Sequence, residues 1–218
     1  MSAPFRKERR SRREDGEPAL LRGLSFCFGG NVRRIGVIAL QGDVSEHISA
    51  VEAAGGQAVP VRRAGVIPTC SGIVIPGGES TTISRQLERT GIAAEIKQAA
   101  ANDVPVLATC AGLVLVAKEI DAGDVRPLGL IDISVGRNAF GPQRESFEAD
   151  IDVAGFDRPY RAVFIRAPVV LRCGDGVQEL ARFGGRTVAV RQRKIIGLAF
   201  HPELTGDLRF HRMFLEMT

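Results

Sequence analysis

The chain has 218 residues, of which 44% are hydrophobic and 25% charged. This is enough for one sizeable globular domain with a full core, or at most two small ones. No apolar run approaches the roughly 18 residues that a membrane-spanning helix needs. The four cysteines are far apart and the three histidines do not cluster near them, which argues against a structural zinc site. We therefore expect no metal, no membrane and a reducing, cytoplasmic location.

The net charge of +4 is concentrated at the N-terminus. Residues 1–33 hold eight Lys/Arg and four Asp/Glu, whereas residues 34–218 hold 21 of each and are formally neutral. A basic tail on a neutral domain removes the main support for nucleic-acid binding. We interpret 1–33 as a disordered extension and 34–218 as the folded domain. The native start is expected near Val32, and the intact mass of the protein from its own cell decides this.

The domain begins with an apolar strand at Ile35–Leu40, followed by a predicted helix at Val44–Ala54. Asp43 is the predicted N-cap of that helix, and Glu46 stands at capping-box spacing. The alternation continues with strands at 58–61, 72–75 and 105–108 and with helices at about 80–89 and 92–101. After Leu128 the pattern becomes β-rich, with strands at 130–135, 146–153, 162–165, 187–191 and 195–200 and a closing helix at about 205–216. Apolar strands that alternate with helices predict one α/β domain with a mostly parallel sheet covered on both faces.

The stretch from Val104 to Ala117 turns from an apolar strand directly into an apolar helix at Cys110. Such a turn lifts its central side chain out of the sheet and leaves helix N–H groups free beside it, which is the geometry of a nucleophile elbow. Free cysteine is also among the most buried residue types, so a structural thiol is the alternative. A nucleophile needs a distant base and a carboxylate that orients it.

Two other strand ends carry suitable residues. His201 follows the last strand next to Pro202, and Glu203 can reach its ring if the chain bends at the proline. Gly77 and Gly78 follow the third strand in a turn that exposes backbone N–H groups, although a plain tight loop has the same composition. By contrast, His47 and His211 lie within predicted helices, and we interpret them as surface or interface residues.

A family resemblance rests on motifs that run from about Ile35 to the C-terminus. The Cys110 elbow together with the Phe200–Glu203 stretch resembles the class I glutamine amidotransferases, whose triad is Cys-His-Glu. A narrower set is similar to the glutaminase subunits of two-component pyridoxal 5′-phosphate synthases: Leu40-Gln41-Gly42 with Glu46-His47, Pro76-Gly77-Gly78-Glu79-Ser80-Thr81-Thr82, Arg137-Asn138-Ala139-Phe140-Gly141, Ser146-Phe147-Glu148-Ala149-Asp150, Phe164-Ile165-Arg166-Ala167-Pro168 and His201-Pro202-Glu203-Leu204-Thr205. Six motifs in order are highly specific; the N-terminal extension and Ala139, where many relatives carry serine, are the departures.

The resemblance implies a three-layer, flavodoxin-like amidotransferase fold and a catalytic triad of Cys110, His201 and Glu203. It implies an oxyanion hole formed by backbone N–H groups at Gly78 and Ala111. The substrate, L-glutamine, is expected to bind through Gly78, Glu79, Ser80, Arg137, Ile165 and Arg166. No cofactor is implied.

The resemblance also implies a partner, the synthase subunit that builds pyridoxal 5′-phosphate from ribose 5-phosphate and glyceraldehyde 3-phosphate with the released ammonia. In this family the glutaminase is poorly active until that subunit docks, and Gln41 and its neighbours are the expected interface. Three alternatives stay open: a glutaminase subunit of another pathway such as histidine synthesis, a stand-alone cysteine hydrolase or chaperone of the related superfamily, and a non-enzymatic binding subunit.

Overall fold

The computed structural model describes residues 1, 33–121, 123–137 and 146–218. The chain divides into two units, Met1–Asn31 and Val32–Thr218, and the fold described below is that of the second. Residues 2–32 of the expected extension and the Asn138–Gly141 part of the third motif lie outside the described residues. The boundary between extension and domain stays a prediction.

Twelve strands and five helices are found among the described residues. The strands are β1 (Arg34–Ile38), β2 (Gln57–Val61), β3 (Gly72–Ile75), β4 (Val106–Thr109), β5 (Ala117–Ile120), β6 (Ile131–Gly136), β7 (Ser146–Ile151), β8 (Tyr160–Ile165), β9 (Val169–Cys173), β10 (Gln178–Phe183), β11 (Arg186–Gln192) and β12 (Ile195–Leu198). The helices are α1 (Val44–Ala53), α2 (Ser80–Thr90), α3 (Ile92–Ala101), α4 (Ala111–Val116) and α5 (Arg209–Leu215). Short 3-10 helices lie at Ile67–Thr69 and Pro202–Leu204.

The main sheet has the strand order β2-β1-β3-β4-β12-β11-β9-β6-β5, with β10 paired to β11. Its first five strands are mutually parallel. This is the 2-1-3-4-5 order of flavodoxin-like folds when β12 is counted as the fifth strand. Every residue of β3, β4 and β12 is buried, and all but Thr109 are apolar, as is typical of strands covered on both faces.

Helices cover both faces of this sheet. A side chain added at Gly72 of β3 would meet Phe214 of α5, and one added at Gly197 of β12 would meet Leu113 of α4. The register places Gly197 beside Ala108, and Ala108 beside Ile75, on one face of the sheet. Because side chains alternate along a strand, residues 72 and 75 face opposite sides, so α5 and α4 lie on opposite faces. The predicted three-layer α/β fold is confirmed.

The β-rich second half contains more strands than the sequence patterns predicted. The strands β5, β9 and β10 were not anticipated. β10 pairs with β11 along its length and exposes charged residues, and β9 exposes Leu171 and Arg172, so neither has the continuous apolar run of a central strand. Strands β7 and β8 form a separate antiparallel pair.

Several predicted boundaries shift, including those of the first strand and the closing helix. The first strand ends at Ile38, two residues before the predicted end, and the closing helix begins at Arg209 and not near Thr205. Residues before the helix form a turn instead, in which the Tyr160 hydroxyl lies 3.0 Å from the Thr205 hydroxyl. The carboxylate of Asp207 then accepts a hydrogen bond from the N–H of Arg209 at 3.1 Å. In the part of the chain that the structure describes, none of the helices has both the length and the apolarity to cross a bilayer.

Candidate active site

Cys110 stands between the end of β4 and the start of α4, with φ 49° and ψ −105°. A non-glycine residue in this rarely populated region stores about 1–3 kcal/mol of strain, which the surrounding structure must hold in place. The N–H of Cys110 donates to the carbonyl of Leu198 at 2.8 Å, and its Sγ lies 3.7 Å from the carbonyl oxygen of Ile165. The predicted strand–turn–helix geometry of a nucleophile elbow is present.

The close packing of the elbow on β3 gives a testable expectation about Gly112. A Cβ at this position would overlap the backbone carbonyl of Ile75, which cannot move without disturbing the sheet. We expect Gly112→Ala to lower the free energy of unfolding by about 2–3 kcal/mol, the usual cost of overpacking. Urea denaturation measures this effect. Gly206→Ala is the matched control, since nothing lies within 4 Å of its Cβ; equal midpoints for the two variants would refute the steric argument.

The register between β4 and β12 brings His201 to the elbow. Thr109 pairs with Leu198, so Cys110 and His201 follow paired residues at the same end of adjacent parallel strands. The N–H of His201 donates to the carbonyl of Val163 on β8 at 2.9 Å. His201 is buried, and its side chain interacts directly with Cys110.

Two carboxylates contact Nδ1 of the His201 ring. Glu203, in the 3-10 turn that starts at Pro202, places its Oε1 2.7 Å from His201 Nδ1. The Oδ2 atom of Asp43 lies 3.2 Å from the same nitrogen. The Glu203 side chain is fully buried, whereas that of Asp43 is 37% exposed. The shorter contact in the drier environment makes Glu203 the stronger partner of the imidazole.

Asp43 occupies the predicted N-cap position of α1, but its side chain does not cap the helix. Its side chain makes no capping hydrogen bond to α1, and Glu46 instead accepts one from the Ser45 hydroxyl. Asp43 points towards His201, and a carboxylate that contacts an imidazole this closely is no longer free to accept from the first turn of the helix. A side chain does cap the next helix: the carboxylate of Glu79 accepts hydrogen bonds from the N–H groups of Thr81 and Thr82 at the start of α2.

The electrostatics of these groups favour a charged imidazole. Burial lowers the pKa of His201, but the nearby Cys110 and the hydrogen bond and charge of Glu203 outweigh it and raise the pKa to about 10. Burial also raises the pKa of Glu203, against the opposing effect of its hydrogen bond and charge interaction with His201. A firmly held proton on the imidazole is what a neighbouring cysteine thiolate needs.

A cavity of about 400 Å³ opens beside the thiol. Its lining includes every predicted site residue except Glu203, which lies behind His201: Gln41, Asp43, Gly78, Glu79, Ser80, Cys110, Ala111, Val114, Arg137, Ile165, Arg166, Pro168 and His201. The structure thus brings together residues that are up to 160 positions apart in the sequence, from Gln41 to His201. Two acidic groups, Asp43 and Glu79, and two basic groups, Arg137 and Arg166, share this cavity.

The charged groups of the cavity are linked to one another. The guanidinium of Arg137 lies 3.6 Å from Glu79, and its backbone N–H donates to Asp121 at 3.2 Å. Hydrogen bonds from Thr82 and Thr81 lower the pKa of Glu79 despite the opposing effect of its partial burial. Gln41 also reaches this corner, where its Oε1 accepts from the N–H of Glu79 at 3.3 Å. Arg166 has a positive φ of 43°.

His47 and His211 are not surface residues, which corrects the prediction. Both are completely buried. His47 occupies the inner face of α1 with Ala50 and Val51, and this i, i+3, i+4 spacing is the signal that could have located it. Its Nε2 lies 3.2 Å from Glu203 Oε2, so it belongs to the surroundings of the candidate triad.

Asp43, His201 and Glu203 also form a group whose ligand atoms lie within 4.8 Å of one another, a spacing that a metal ion could use. The short contacts of both carboxylates with a single ring nitrogen already account for this arrangement. We assign the group to the orientation of His201.

The family model described as SNO glutamine amidotransferase family matches residues 37–218. The chain belongs to this family. A glutamine amidotransferase subunit is an amide-cleaving enzyme, and the elbow cysteine, the histidine and the glutamate are the residue types that its triad requires. The resemblance inferred from the six motifs is confirmed at the level of the family.

Curated relatives of this amidotransferase carry one name. The chain is 90% identical over 185 residues to "Pyridoxal 5′-phosphate synthase subunit PdxT" of Methanothrix thermoacetophila, covering 85% of this chain and 100% of the relative. It is 52% identical over 193 residues to the protein of the same name from Methanosarcina mazei, covering 84% and 97% of the two chains.

Solved structures give the same fold. A glutamine amidotransferase crystal structure is 44% identical with a TM-score of 0.80, covering 84% of this chain and 97% of the other. The PurLQS structure from Thermotoga maritima is 17% identical with a TM-score of 0.59, covering 85% and 95%, and is similar in fold alone.

Proposed function

We propose that this chain is the glutaminase subunit of a pyridoxal 5′-phosphate synthase. It hydrolyses L-glutamine to L-glutamate and ammonia and supplies the ammonia for vitamin B6 biosynthesis. The observation that carries the proposal is the Cys110–His201–Glu203 arrangement at a strained elbow, in a chain that is 90% identical to a subunit of that name. Family membership favours this function over a stand-alone hydrolase, a chaperone or a binding subunit.

The first half-reaction forms a covalent intermediate. His201 already holds the thiol proton, as its raised pKa favours, and the Cys110 thiolate attacks the side-chain amide carbon of glutamine. Glu203 holds the Nδ1–H of His201, so that the proton on Nε2 faces the sulfur and is ready for the leaving group. As the carbon–nitrogen bond breaks, His201 delivers its proton to the departing ammonia, which leaves a γ-glutamyl thioester on Cys110.

The second half-reaction regenerates the thiol. Water attacks the thioester with His201 as base, the carbon–sulfur bond breaks, and glutamate leaves. In both halves negative charge builds up on the amide-derived oxygen. Backbone N–H groups at Gly78 and Ala111, which line the same cavity as Cys110, are suited to meet it. Each such donor is worth about 3–4 kcal/mol in related acyl-transfer sites.

The charges of the cavity complement the zwitterion of an amino acid. Arg137 and Arg166 offer planar, two-pronged donors that match the α-carboxylate. Glu79 carries the opposite charge and suits the α-ammonium group. Gly78, Ser80 and Ile165 complete the lining near the thiol.

The proposed partner is the synthase subunit, which uses ammonia with ribose 5-phosphate and glyceraldehyde 3-phosphate. Gln41 is exposed at the cavity, and its side chain accepts a hydrogen bond from the backbone N–H of Glu79. A protein that docks on the β1–α1 turn can therefore act on the site through Gln41. We also propose a cytoplasmic location, which the free thiols of Cys70, Cys110 and Cys173 suit.

The decisive experiment measures glutamate release from glutamine by the full chain, alone and with a pyridoxal 5′-phosphate synthase subunit. We expect slow hydrolysis alone and faster hydrolysis in the complex, with pyridoxal 5′-phosphate formed from glutamine. Equal rates with and without the synthase would contradict activation by docking. No hydrolysis in either condition would contradict the glutaminase function itself.

An ammonium salt serves as the control nitrogen source. The synthase subunit alone should form pyridoxal 5′-phosphate from ammonium but not from glutamine, because only this chain releases the amide nitrogen. A synthase of the histidine pathway, offered the same chain and glutamine, should show no activation; if it does, the alternative pathway is the correct one.

A further inference from the structure

A second pair of imidazoles lies behind the candidate triad. His47 on α1 and His211 on α5 are completely buried, and no step of the reaction above uses either. His47 Nε2 lies 3.0 Å from the hydroxyl of Thr109 and 3.2 Å from Glu203 Oε2. His47 Nδ1 lies 3.5 Å from His211 Nε2. Glu203 therefore contacts an imidazole at each oxygen, His201 at Oε1 and His47 at Oε2.

These contacts favour one arrangement of protons. If His47 carried its hydrogen on Nδ1, its bare Nε2 lone pair would face the carboxylate, and His211 Nδ1–H would be a buried donor, although Nδ1 has no partner among the described residues. With the hydrogen on His47 Nε2, that N–H donates to Thr109 Oγ1 and lies close to Glu203 Oε2, an oxygen that has no hydrogen-bond partner among the described residues, and His211 Nε2–H donates to His47 Nδ1. The atom left over is then an acceptor at His211 Nδ1, which is less costly than an orphaned donor.

We propose that His47 is a positioning residue for the triad: its Nε2–H donates to the hydroxyl of Thr109, the residue before Cys110, and sets its positive end 3.2 Å from the second oxygen of Glu203, while His211 sets its tautomer. This inference rests on the proposed function, because it requires Glu203 to orient a catalytic His201. One N–H thus couples the carboxylate end of the triad to the strand that carries the nucleophile.

Both histidines of the pair remain neutral during the reaction. Burial, and then the neighbouring His211 and His201, hold the pKa of His47 well below its usual range. Burial lowers the pKa of His211 to about 4. The pair therefore does not titrate near neutral pH and acts only through the carboxylate it supports.

The titratable groups around Glu203 and His47 come from several elements. Asp43 before α1, Tyr160 on β8 and His201 after β12 act on Glu203, and His201 and His211 on α5 act on His47. Cys110 at the elbow acts on His201. Among these, only His47 offers a neutral N–H to Glu203 Oε2. The positive end of an N–H dipole this close to a buried carboxylate favours its ionised form, so removing this N–H should raise the pKa of Glu203 above its already raised value. A protonated Glu203 no longer stabilises the imidazolium of His201, so activity on the acid side is lost at a higher pH.

The test compares His47→Met, which keeps the volume and removes the donor, with His47→Gln, whose amide N–H can replace Nε2–H. For each full-length variant in complex with the synthase subunit, kcat and KM for glutamine are measured against pH, together with the rate at which a glutamine-analogue chloroketone labels Cys110. For His47→Met we expect the acid limb of both profiles to move up by about half to one pH unit and kcat to fall about 10-fold to 100-fold, with little change in KM. His47→Gln should return the acid limb and kcat most of the way to the values of the unaltered chain.

A purely structural role predicts a different result. If His47→Met and His47→Gln keep the pH profile of the unaltered chain and differ only in melting temperature, the proposal is overturned. If His47→Met fails to fold, the same pH profile is measured for His211→Phe. This variant removes the group that sets the tautomer of His47, so the acid limb should move in the same direction by a smaller amount. An unchanged profile in that variant also overturns the proposal. The unaltered chain must hydrolyse glutamine in the same assay; if it does not, the proposed function fails and not the positioning role.

Discussion

The Cys110→Ala variant should release no measurable glutamate from glutamine, with kcat lowered by about 10⁴-fold or more. The reason is that Sγ is the only atom at the elbow that can form the covalent intermediate. The change leaves the strained backbone, the oxyanion donors and the charged cavity in place, so glutamine should still bind. The measurement is glutamate release in the complex with the synthase subunit, with folding monitored by melting temperature.

Cys173→Ala is the matched control, since this half-buried thiol lies on β9, outside the cavity lining. It should keep full activity. A glutamine-analogue diazoketone should add its mass to the peptide that contains Cys110 in the unaltered chain and in Cys173→Ala, but not in Cys110→Ala. Hydrolysis by Cys110→Ala at an undiminished rate would remove the cysteine from the mechanism.

The second large effect is expected for Glu203→Gln. The carboxylate Oε1 accepts from His201 Nδ1 at 2.7 Å inside a fully buried environment, where its charge supports the imidazolium. Glutamine keeps the shape but removes the charge, and its amide can present a donor to the ring and so favour the wrong tautomer. We expect kcat to fall by about 10³-fold to 10⁴-fold, as in other triads that lose this carboxylate.

The Asp43→Asn variant tests which of the two carboxylates that contact His201 orients its ring. Because Asp43 is partly exposed and lies farther from Nδ1, its loss should cost far less than that of Glu203. Glu88→Gln, an exposed position on α2, controls for the substitution itself. If Asp43→Asn lowers kcat more than Glu203→Gln does, then Asp43 is the orienting carboxylate and the triad is misassigned.

Much of the site could be predicted because its residues stand at strand ends. Cys110, His201 and the Gly77–Gly78 turn each follow an apolar run, and in a parallel sheet such ends meet at one edge. Local patterns suffice for this because each strand and each sharp turn is specified by adjacent residues. Pro202 likewise predicted the bend that returns Glu203 to the His201 ring, and the structure has that bend.

The errors fall where the partner of a residue is distant in sequence. Asp43 satisfies every local rule for an N-cap, yet a contact with His201, 158 positions away, takes its carboxylate. His47 and His211 looked like helix-surface residues, because a polar side chain on a helix is usually solvated. Burial of both became favourable only through the hydrogen bonds that α1, α5 and the Glu203 turn supply to one another.

The sequence by itself determined the class of fold, the elbow and the residue types of the triad, since periodic apolar runs and motif residues are local properties of the chain. Only the tertiary structure decided which groups surround the triad. The pairing of β4 with β12 sets the position of His201 against Cys110, and the packing of α1 and α5 sets the position of His47 against Glu203. Contacts of this kind depend on strand order and helix packing, which no local pattern encodes.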